Sequence, residues 1–154
     1  MATDATDRPD LGAVFDNHVA AEFVDMDLEA TMATMTDDPY VNHVPVMTGG
    51  VGLEHVRRFY GDHFIGKWPQ DIEMPQLLPG VAPTGKHVQL AFCVVVGFEG
   101  GKVSHEHIYW DQASLLTQVG LLDSAELPVT GAEQAENVLD PRAHPVNELI
   151  RARG

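Results

Sequence analysis

The chain has 154 residues, of which 44% are hydrophobic and 21% charged, proportions typical of one folded domain. Its formal net charge of -14 argues against nucleic acid and anionic membranes as partners, because both are bound by clustered lysine and arginine. No apolar run approaches the roughly 20 residues of a membrane helix and no signal pattern is present, so a cytoplasmic location is expected. The single cysteine, Cys93, excludes an internal disulfide and a cysteine-based metal site.

Helical periodicity and negative charge characterise the first quarter of the chain. Residues 1–9 are small, polar and acidic and are expected to be disordered. From Asp10, a suitable N-cap, apolar residues recur at intervals of three and four as far as Met26 and predict an amphipathic helix. Asp27 can cap a second, shorter helix, which Asp37-Asp38-Pro39 would end.

The middle of the chain predicts a strand, a turn, a helix and a loop. The alternating segment 40–45 indicates a short strand that ends at Pro45, and the glycines of segment 49–52 indicate a turn. Apolar positions from Leu53 to Phe64 predict a third helix. Residues 65–86 contain prolines at 69, 75, 79 and 83, so we expect a loop that packs over the domain as a lid.

Two long strands and short helices are predicted in the second half. The apolar segment from His87 to Phe98 predicts a strand covered on both faces, with Cys93 as a buried thiol. Gly100-Gly101 favours a tight hairpin turn, after which a second strand would pair antiparallel with the first. Helices are predicted over residues 112–119, with Gly120 ending the helix, and from Thr130 to about 139, with a last helical turn after residue 145. The pattern predicts an α+β domain over residues 10–140, with N-terminal helices packed on a curved antiparallel sheet, followed by a C-terminal tail at 141–154.

A row of polar side chains on the second long strand is the main functional signal. His105, His107, Tyr109 and Asp111 alternate along this strand, so they share one face. A core strand would carry aliphatic residues at these positions, because a buried polar group without a partner costs roughly 1–3 kcal/mol. The row therefore either faces water or lines a pocket.

Three candidate catalytic residues are Asp111, His43 and His107. The two histidines would approach each other if their strands were neighbours, and imidazole is suited to polarising a carbonyl or moving a proton near pH 7. Each could instead be a hydrogen-bonded core histidine, and Asp111 could be only the N-cap of the helix that follows it, a role worth about 1 kcal/mol. Histidines 43, 105 and 107 could also supply the three imidazoles of a catalytic zinc site.

Candidate ligand contacts would imply a bulky, largely apolar ligand if they line a cavity, although such residues are more often part of a core. They are Tyr40, Tyr109, His105, Trp68, Phe64 and Met47.

The segment from Asp111 to Gly120 carries a family pattern. Asp111, followed by Leu115-Leu116 and Gln118-Val119-Gly120, resembles the Asp-x-x-x-Leu-Leu-x-Gln-Leu-Gly ending of the SnoaL-like, polyketide-cyclase-like members of the nuclear transport factor 2-like (NTF2-like) superfamily. The similarity covers about residues 10 to 140. The other similar pieces are Tyr40–Pro45, Thr48–Gly52, Pro83–Lys86 and Leu127–Gly131.

This resemblance implies an NTF2-like (cystatin-like) cone whose curved sheet encloses a pocket, assembled as a homodimer. It implies a cofactor-independent cyclase, isomerase or hydratase acting on a hydrophobic carbonyl compound, with Asp111 as general acid/base. In that reaction His43 and His107 would stabilise negative charge developing on oxygen. Between Phe64 and Leu78 the chain is too short for the further strand pair expected of the family, so either the sheet is shortened at one wall of the pocket or a segment is missing there.

Two alternatives to this enzyme remain open at the level of sequence. The chain could be a non-catalytic small-ligand-binding or dimerisation module, because a fold does not fix a function. Hydrolysis of an epoxide, as in limonene-epoxide-hydrolase-like relatives, would need an Asp-Arg-Asp set. No arginine occurs between Arg58 and Arg142, so this second alternative is disfavoured.

Overall fold

The computed structural model describes residues 8–67 and 76–151, and the chain divides into two units. Unit 1 is Met1–Pro83 with Val94–Ile108, and unit 2 is Thr84–Cys93 with Tyr109–Gly154. The predicted disordered terminus lies outside the described residues except for residues 8 and 9, which are exposed. Much of the predicted lid, at 68–75, and the end of the predicted tail, at 152–154, also lie outside them.

Two capped helices open unit 1. Helix α1 spans Leu11–Phe23 and helix α2 spans Leu28–Ala33. The carboxylate of Asp10 accepts hydrogen bonds from the first turn of α1, the shorter at 3.0 Å, and that of Asp27 does the same for α2 at 2.9 Å. Both predicted N-caps are confirmed.

The buried side of α1 is unexpectedly polar. Its buried residues are His18, Ala21 and Glu22, whereas Leu11 and Phe23, both on the predicted apolar stripe, are exposed. The helix turns this side inward because His18 and Glu22 have polar neighbours there, as described below. The predicted stripe therefore identifies the packed face in part, since His18 on it is buried and Val14 packs against the core, whereas Leu11 is exposed.

The first strand begins earlier than predicted, and the second strand was not predicted. Strand β1 spans Met35–His43, so Asp37-Asp38-Pro39 lies inside a strand and does not end a helix. The register between β1 and its parallel neighbour shifts between Met35 and Tyr40, where Pro39 has no N–H to donate to a regular ladder. Strand β2, Thr48–Val51, occupies the segment predicted as a turn.

The sheet is four-stranded, mixed and open, in the order β2-β1-β4-β3. Strand β3 spans Cys93–Glu99 and β4 spans Lys102–Tyr109, and Gly100 and Gly101 join them with positive φ, as predicted. Strand β1 is antiparallel to β2 and parallel to β4. The prediction of an antiparallel sheet is therefore wrong. The chain reverses direction between β3 and β4, so β4 lies beside β1 and runs parallel to it.

Strand β3 is shorter and more accessible than the apolar sequence predicts. It begins at Cys93, which is exposed, and the side chains of Val94 and Val95 are 40% and 49% exposed. The prediction of a strand covered on both faces is therefore wrong, and β3 is one of the two edge strands of the described sheet.

The core of unit 1 lies between its helices and one face of the sheet. Helix α3 spans Leu53–Phe59 and continues into a π-helical turn, Tyr60–Phe64. The apolar side chains of this segment pack with residues of α2, β1 and β4. The buried cluster consists of Met32, Met35, Val41, Val56, Phe59, Tyr60, Phe64 and Val103.

Unit 2 contains helices α4, Gln112–Val119, α5, Glu133–Leu139, and α6, Glu148–Arg151. Gly120, with φ of 80°, ends α4 as predicted. The predicted capping box at α5 does not form; Glu133 instead accepts a hydrogen bond from the Gly131 N–H at 2.9 Å. Within the described residues of both units, no helix has the length and apolar character needed to cross a bilayer.

Candidate functional site

The register between β1 and β4 assigns the candidate residues to two faces of the sheet. His43 pairs with Ile108, whereas Asn42 pairs with His107. Paired residues of neighbouring strands share a face and successive residues alternate, so His43 and His107 lie on opposite faces. The expectation that they point into one pocket is therefore wrong. Their strands are neighbours, but His43 lies opposite the residue that follows His107.

One of these faces carries a contiguous row of polar side chains, three of them ionisable rings. We call it the imidazole face, and its residues are Tyr40, Asn42, His105 and His107, all half-buried. The ring centroids of Tyr40 and His107 are 5.4 Å apart, and those of His107 and His105 are 5.1 Å apart. The shared face of His105 and His107 is as the alternation predicts. A ligand on this face would meet two imidazoles and a phenol within one row.

Strand β3 makes room for the end of this row. A Cβ atom added at Gly97 would lie 2.0 Å from Cε1 of His105, so the imidazole lies directly over the glycine. The hydroxyl of Ser104 lies 3.1 Å from Nδ1 of His105 and fixes that side of the ring. Gly97 is therefore a positioning element for His105.

Gly97→Ala should displace the His105 ring and lower the free energy of unfolding by about 1–3 kcal/mol, the usual penalty of overpacking. Chemical denaturation of the single variant, of His105→Ala and of the double variant measures the coupling. The double variant should recover most of the loss caused by Gly97→Ala. Additive losses would show that the ring does not depend on this glycine.

The other face, covered by helices, carries His43. This side chain is 3% exposed, its ring lies 5.8 Å from that of Phe59, and neither ring nitrogen has a hydrogen-bond partner among the described residues. Burial lowers the pKa of His43 to about 4, against the smaller opposing effect of the Glu106 carboxylate. His43 is therefore a neutral core imidazole, and its catalytic role stays a prediction.

A buried polar cluster lies on the same helix-covered face. Nε2 of His18 is 3.1 Å from Oε1 of Glu22 and 3.7 Å from Oε1 of Glu106, and the hydroxyl of Tyr60 donates to Oε2 of Glu106 at 3.1 Å. We call His18, Glu22, Glu106 and Tyr60 the buried cluster. Sequence reasoning missed it, although the i, i+4 spacing of His18 and Glu22 on one helix was a usable signal.

The cluster perturbs the acid–base properties of its members. Burial alone would lower the pKa of His18, but the neighbouring carboxylates of Glu106 and Glu22 outweigh it and raise the pKa to about 9. Burial, with the two carboxylates, raises the pKa of Tyr60 well above its ordinary value, so this phenol remains a hydrogen-bond donor.

Asp111 lies in unit 2, at the start of α4. Its Oδ1 accepts a hydrogen bond from the N–H of Ser114 at 3.0 Å, and the side chain is exposed. The capping interpretation is confirmed, and the predicted acid/base role stays a prediction.

If Asp111 acts as a helix cap, two substitutions at this position should differ in their effect on stability. Asp111→Ala should lower the free energy of unfolding by about 1 kcal/mol, whereas Asp111→Asn should have little effect, because asparagine caps helices as well as aspartate does. Thermal denaturation of both variants, with exposed Asp16→Ala as control, measures the difference. Equal losses for Ala and Asn would contradict the cap.

The described members of the remaining predicted ligand contacts belong to different elements. Phe64 is part of the unit 1 core, Met47 is 85% exposed in the turn after β1, and Tyr109 is exposed at the end of β4. Trp68 lies outside the described residues.

One group of residues has the geometry of a metal site. Among the described residues, three possible ligand atoms converge only at His18, Glu22 and Glu106, all buried. Histidines 43, 105 and 107 therefore do not form the three-imidazole set considered from the sequence. Comparison with known proteins gives no match to a family model, to a curated protein or to a solved structure.

Proposed function

We propose that the imidazole face of unit 1 is the active site of an acid/base enzyme acting on a hydrophobic small molecule that carries a carbonyl group. The observation that supports this proposal is the contiguous, half-buried row of Tyr40, His107 and His105. If these half-buried positions had no chemical role, we would expect aliphatic side chains there, or polar side chains that are fully exposed to solvent. Imidazole and phenol can both donate and accept protons.

The proposed step is proton abstraction next to the carbonyl. One imidazole of the His105–His107 pair accepts the proton from the α-carbon, and the electron pair of the C–H bond moves toward the carbonyl oxygen. The other imidazole and the Tyr40 hydroxyl donate hydrogen bonds to this oxygen as negative charge develops. Return of the proton to a different atom completes an isomerisation. In a cyclisation, the enolate carbon forms a C–C bond to a second carbonyl as the π bond of that carbonyl breaks, and the resulting alkoxide takes the proton back from the imidazolium.

The reaction class and the finer fold assignment come from the resemblance to SnoaL-like proteins. The described order of two helices, two strands, a helix and a hairpin is compatible with an NTF2-like cone with a shortened sheet. The proposal includes a homodimer and an acid/base role of Asp111, which remain to be tested. If Asp111 takes part, Asp111→Asn should lose turnover while keeping the stability of the cap.

Exchange of α-protons for deuterium tests the proposal without knowledge of the natural substrate. Cyclic diketones, aryl ketones and aldehydes are incubated in D₂O with the protein and followed by mass spectrometry. For a compound that the wild-type protein exchanges, His107→Gln should lower the rate by about 100-fold or more, the usual contribution of a positioned acid or base. His55→Gln, which changes an exposed histidine on α3, is the matched control and should retain the rate.

Unchanged exchange in His107→Gln would overturn the proposed site. The accessible Val94 and Val95 on edge strand β3 favour a second candidate, a ligand-binding or dimerisation module. Binding of a carbonyl compound without exchange would support this second function, as would a protein that binds no carbonyl compound and whose dimer dissociates in a Val95→Lys variant.

A further inference from the structure

The buried cluster on the helix-covered face has the residue types and spacing of a cation site. We propose that His18, Glu22 and Glu106 bind one divalent transition-metal ion of the zinc type through one imidazole nitrogen and two carboxylate oxygens. This proposal goes beyond the proposed reaction, because the cluster lies on the other face of the sheet and ion binding is measured without substrate.

The distances fit an ion with little rearrangement. Nε2 of His18 lies 3.1 Å from the Glu22 oxygen and 3.7 Å from the Glu106 oxygen, and all three ligand atoms lie within 4.8 Å of one another. A tetrahedral zinc ion with bonds of about 2.0–2.2 Å holds its ligand atoms about 3.3–3.6 Å apart. The three atoms therefore need shifts of only a fraction of an ångström to about one ångström.

Outer contacts orient two of the three ligands. The Thr34 hydroxyl donates to the Thr31 carbonyl at 2.6 Å, so it accepts from Nδ1 of His18, also at 2.6 Å. The ring proton is thereby held on Nδ1, and Nε2 is the nitrogen presented to the carboxylates. Tyr60 occupies Oε2 of Glu106, which leaves Oε1 for the ion. Metal sites commonly fix their ligands in this way.

Two buried atoms of the cluster have no satisfactory hydrogen bond. His18 is 0% exposed, yet its Nε2 has no hydrogen-bond partner, and neither has Oε1 of Glu22. These two atoms lie 3.1 Å apart, an ion-pair distance when the ring is protonated, without forming a hydrogen bond. Buried polar atoms are nearly always paired, so two unpaired atoms facing each other indicate a ligand that bonds to both.

The negative charge of the two buried carboxylates also supports a bound cation. Glu22 and Glu106 are 6% and 5% exposed, and burying two carboxylates requires compensating positive charge. A protonated His18 compensates only one of them, whereas a divalent ion with neutral His18 compensates both. One nitrogen and two carboxylate oxygens suit Zn²⁺ and its neighbours in the first transition row better than Ca²⁺ or Mg²⁺.

Calorimetric titration with Zn²⁺ is the test. The full chain is first treated with chelator. Because the cluster is buried, parallel samples are also refolded in the presence of increasing Zn²⁺. A further sample is titrated with Co²⁺, and its visible spectrum is recorded. We expect one equivalent bound, a higher unfolding temperature, and affinity weakened at least about 100-fold in Glu106→Gln. Thr34→Val should weaken it about 10- to 100-fold, as loss of an outer contact does.

Two matched control variants distinguish Zn²⁺ binding at this cluster from binding by other side chains. Glu54→Gln changes an exposed carboxylate, and His107→Gln removes the imidazole pair on the other face; both should bind Zn²⁺ like wild type. Absence of binding, or binding that His107→Gln abolishes and Glu106→Gln does not, would overturn the proposal. If Glu106→Gln does not fold, nitrogen-15 spectra of the wild-type rings decide. Zn²⁺ must shift Nε2 of His18 with Nδ1 still protonated, and an unchanged signal would overturn the site.

Discussion

Glu106→Ala should lower the free energy of unfolding by about 3 kcal/mol or more. The substitution removes the acceptor of the buried Tyr60 hydroxyl and one of the two carboxylates beside His18, and it leaves a cavity where a buried side chain stood. Breaking a buried ionic network from one side is strongly destabilising, typically by about 3–5 kcal/mol. Denaturant unfolding monitored by tryptophan fluorescence and circular dichroism measures the change.

Exposed Glu54, which pairs with Arg58 on one helix, gives the matched control. Glu54→Ala should change stability by no more than about 0.5 kcal/mol, as surface substitutions usually do. Tyr60→Phe should show a smaller loss than Glu106→Ala, because it removes one hydrogen bond and keeps the charge. Similar effects of Glu106→Ala and Glu54→Ala would show that the cluster does not stabilise the fold.

His43 should make the protein less stable as pH falls from about 6.5 to about 4. In the folded state the pKa of His43 is lowered to about 4 by burial, whereas in the unfolded chain it is near 6.5. The unfolded state therefore binds the proton first, and each pH unit inside this window removes about 1.4 kcal/mol, or about 3 kcal/mol across it. Above pH 6.5 both states are neutral at this position and no penalty remains.

The difference between wild type and His43→Leu isolates this effect. Both proteins retain His18 and Glu106, so the contributions of those groups cancel in the difference, and chelator keeps divalent ions from the cluster. The stability of His43→Leu relative to wild type should rise steadily below pH 6.5. A constant difference between pH 6.5 and 4 would mean that His43 is protonated equally easily in both states.

Local signals in the sequence predicted several elements correctly. The sequence predicts Asp10 and Asp27 as caps and gives capping as one of two interpretations of Asp111, because a carboxylate before an apolar period is suited to that role. The hairpin at Gly100-Gly101 and the end of α4 at Gly120 followed from backbone conformations that favour glycine. Such features depend on neighbours within a few residues.

Features that depend on distant partners were predicted less well. The position of β4 beside β1 is set by the path of the chain through α3 and β3, which local periodicity does not contain. One residue of offset in this pairing then separated His43 from His107. In the same way, the buried side of α1 is determined by Glu106, more than eighty residues away in the chain.

The two faces of the sheet have different chemical characters. The helix-covered face holds the aromatic core, His43 and the buried cluster, whose side chains are closed off from solvent. The imidazole face holds half-buried rings that a ligand can contact directly. The proposed chemistry on a small molecule therefore belongs to the imidazole face, and the proposed ion binding to the cluster.

Histidine Cε1–H signals in proton NMR test this assignment most directly. During titration with a carbonyl compound that the protein exchanges, the signals of His105 and His107 should move, while those of His18 and His43 should stay unchanged. Single His→Gln variants assign each signal. Movement of His43 with no change at His105 and His107 would place the ligand on the helix-covered face and contradict the proposed active site.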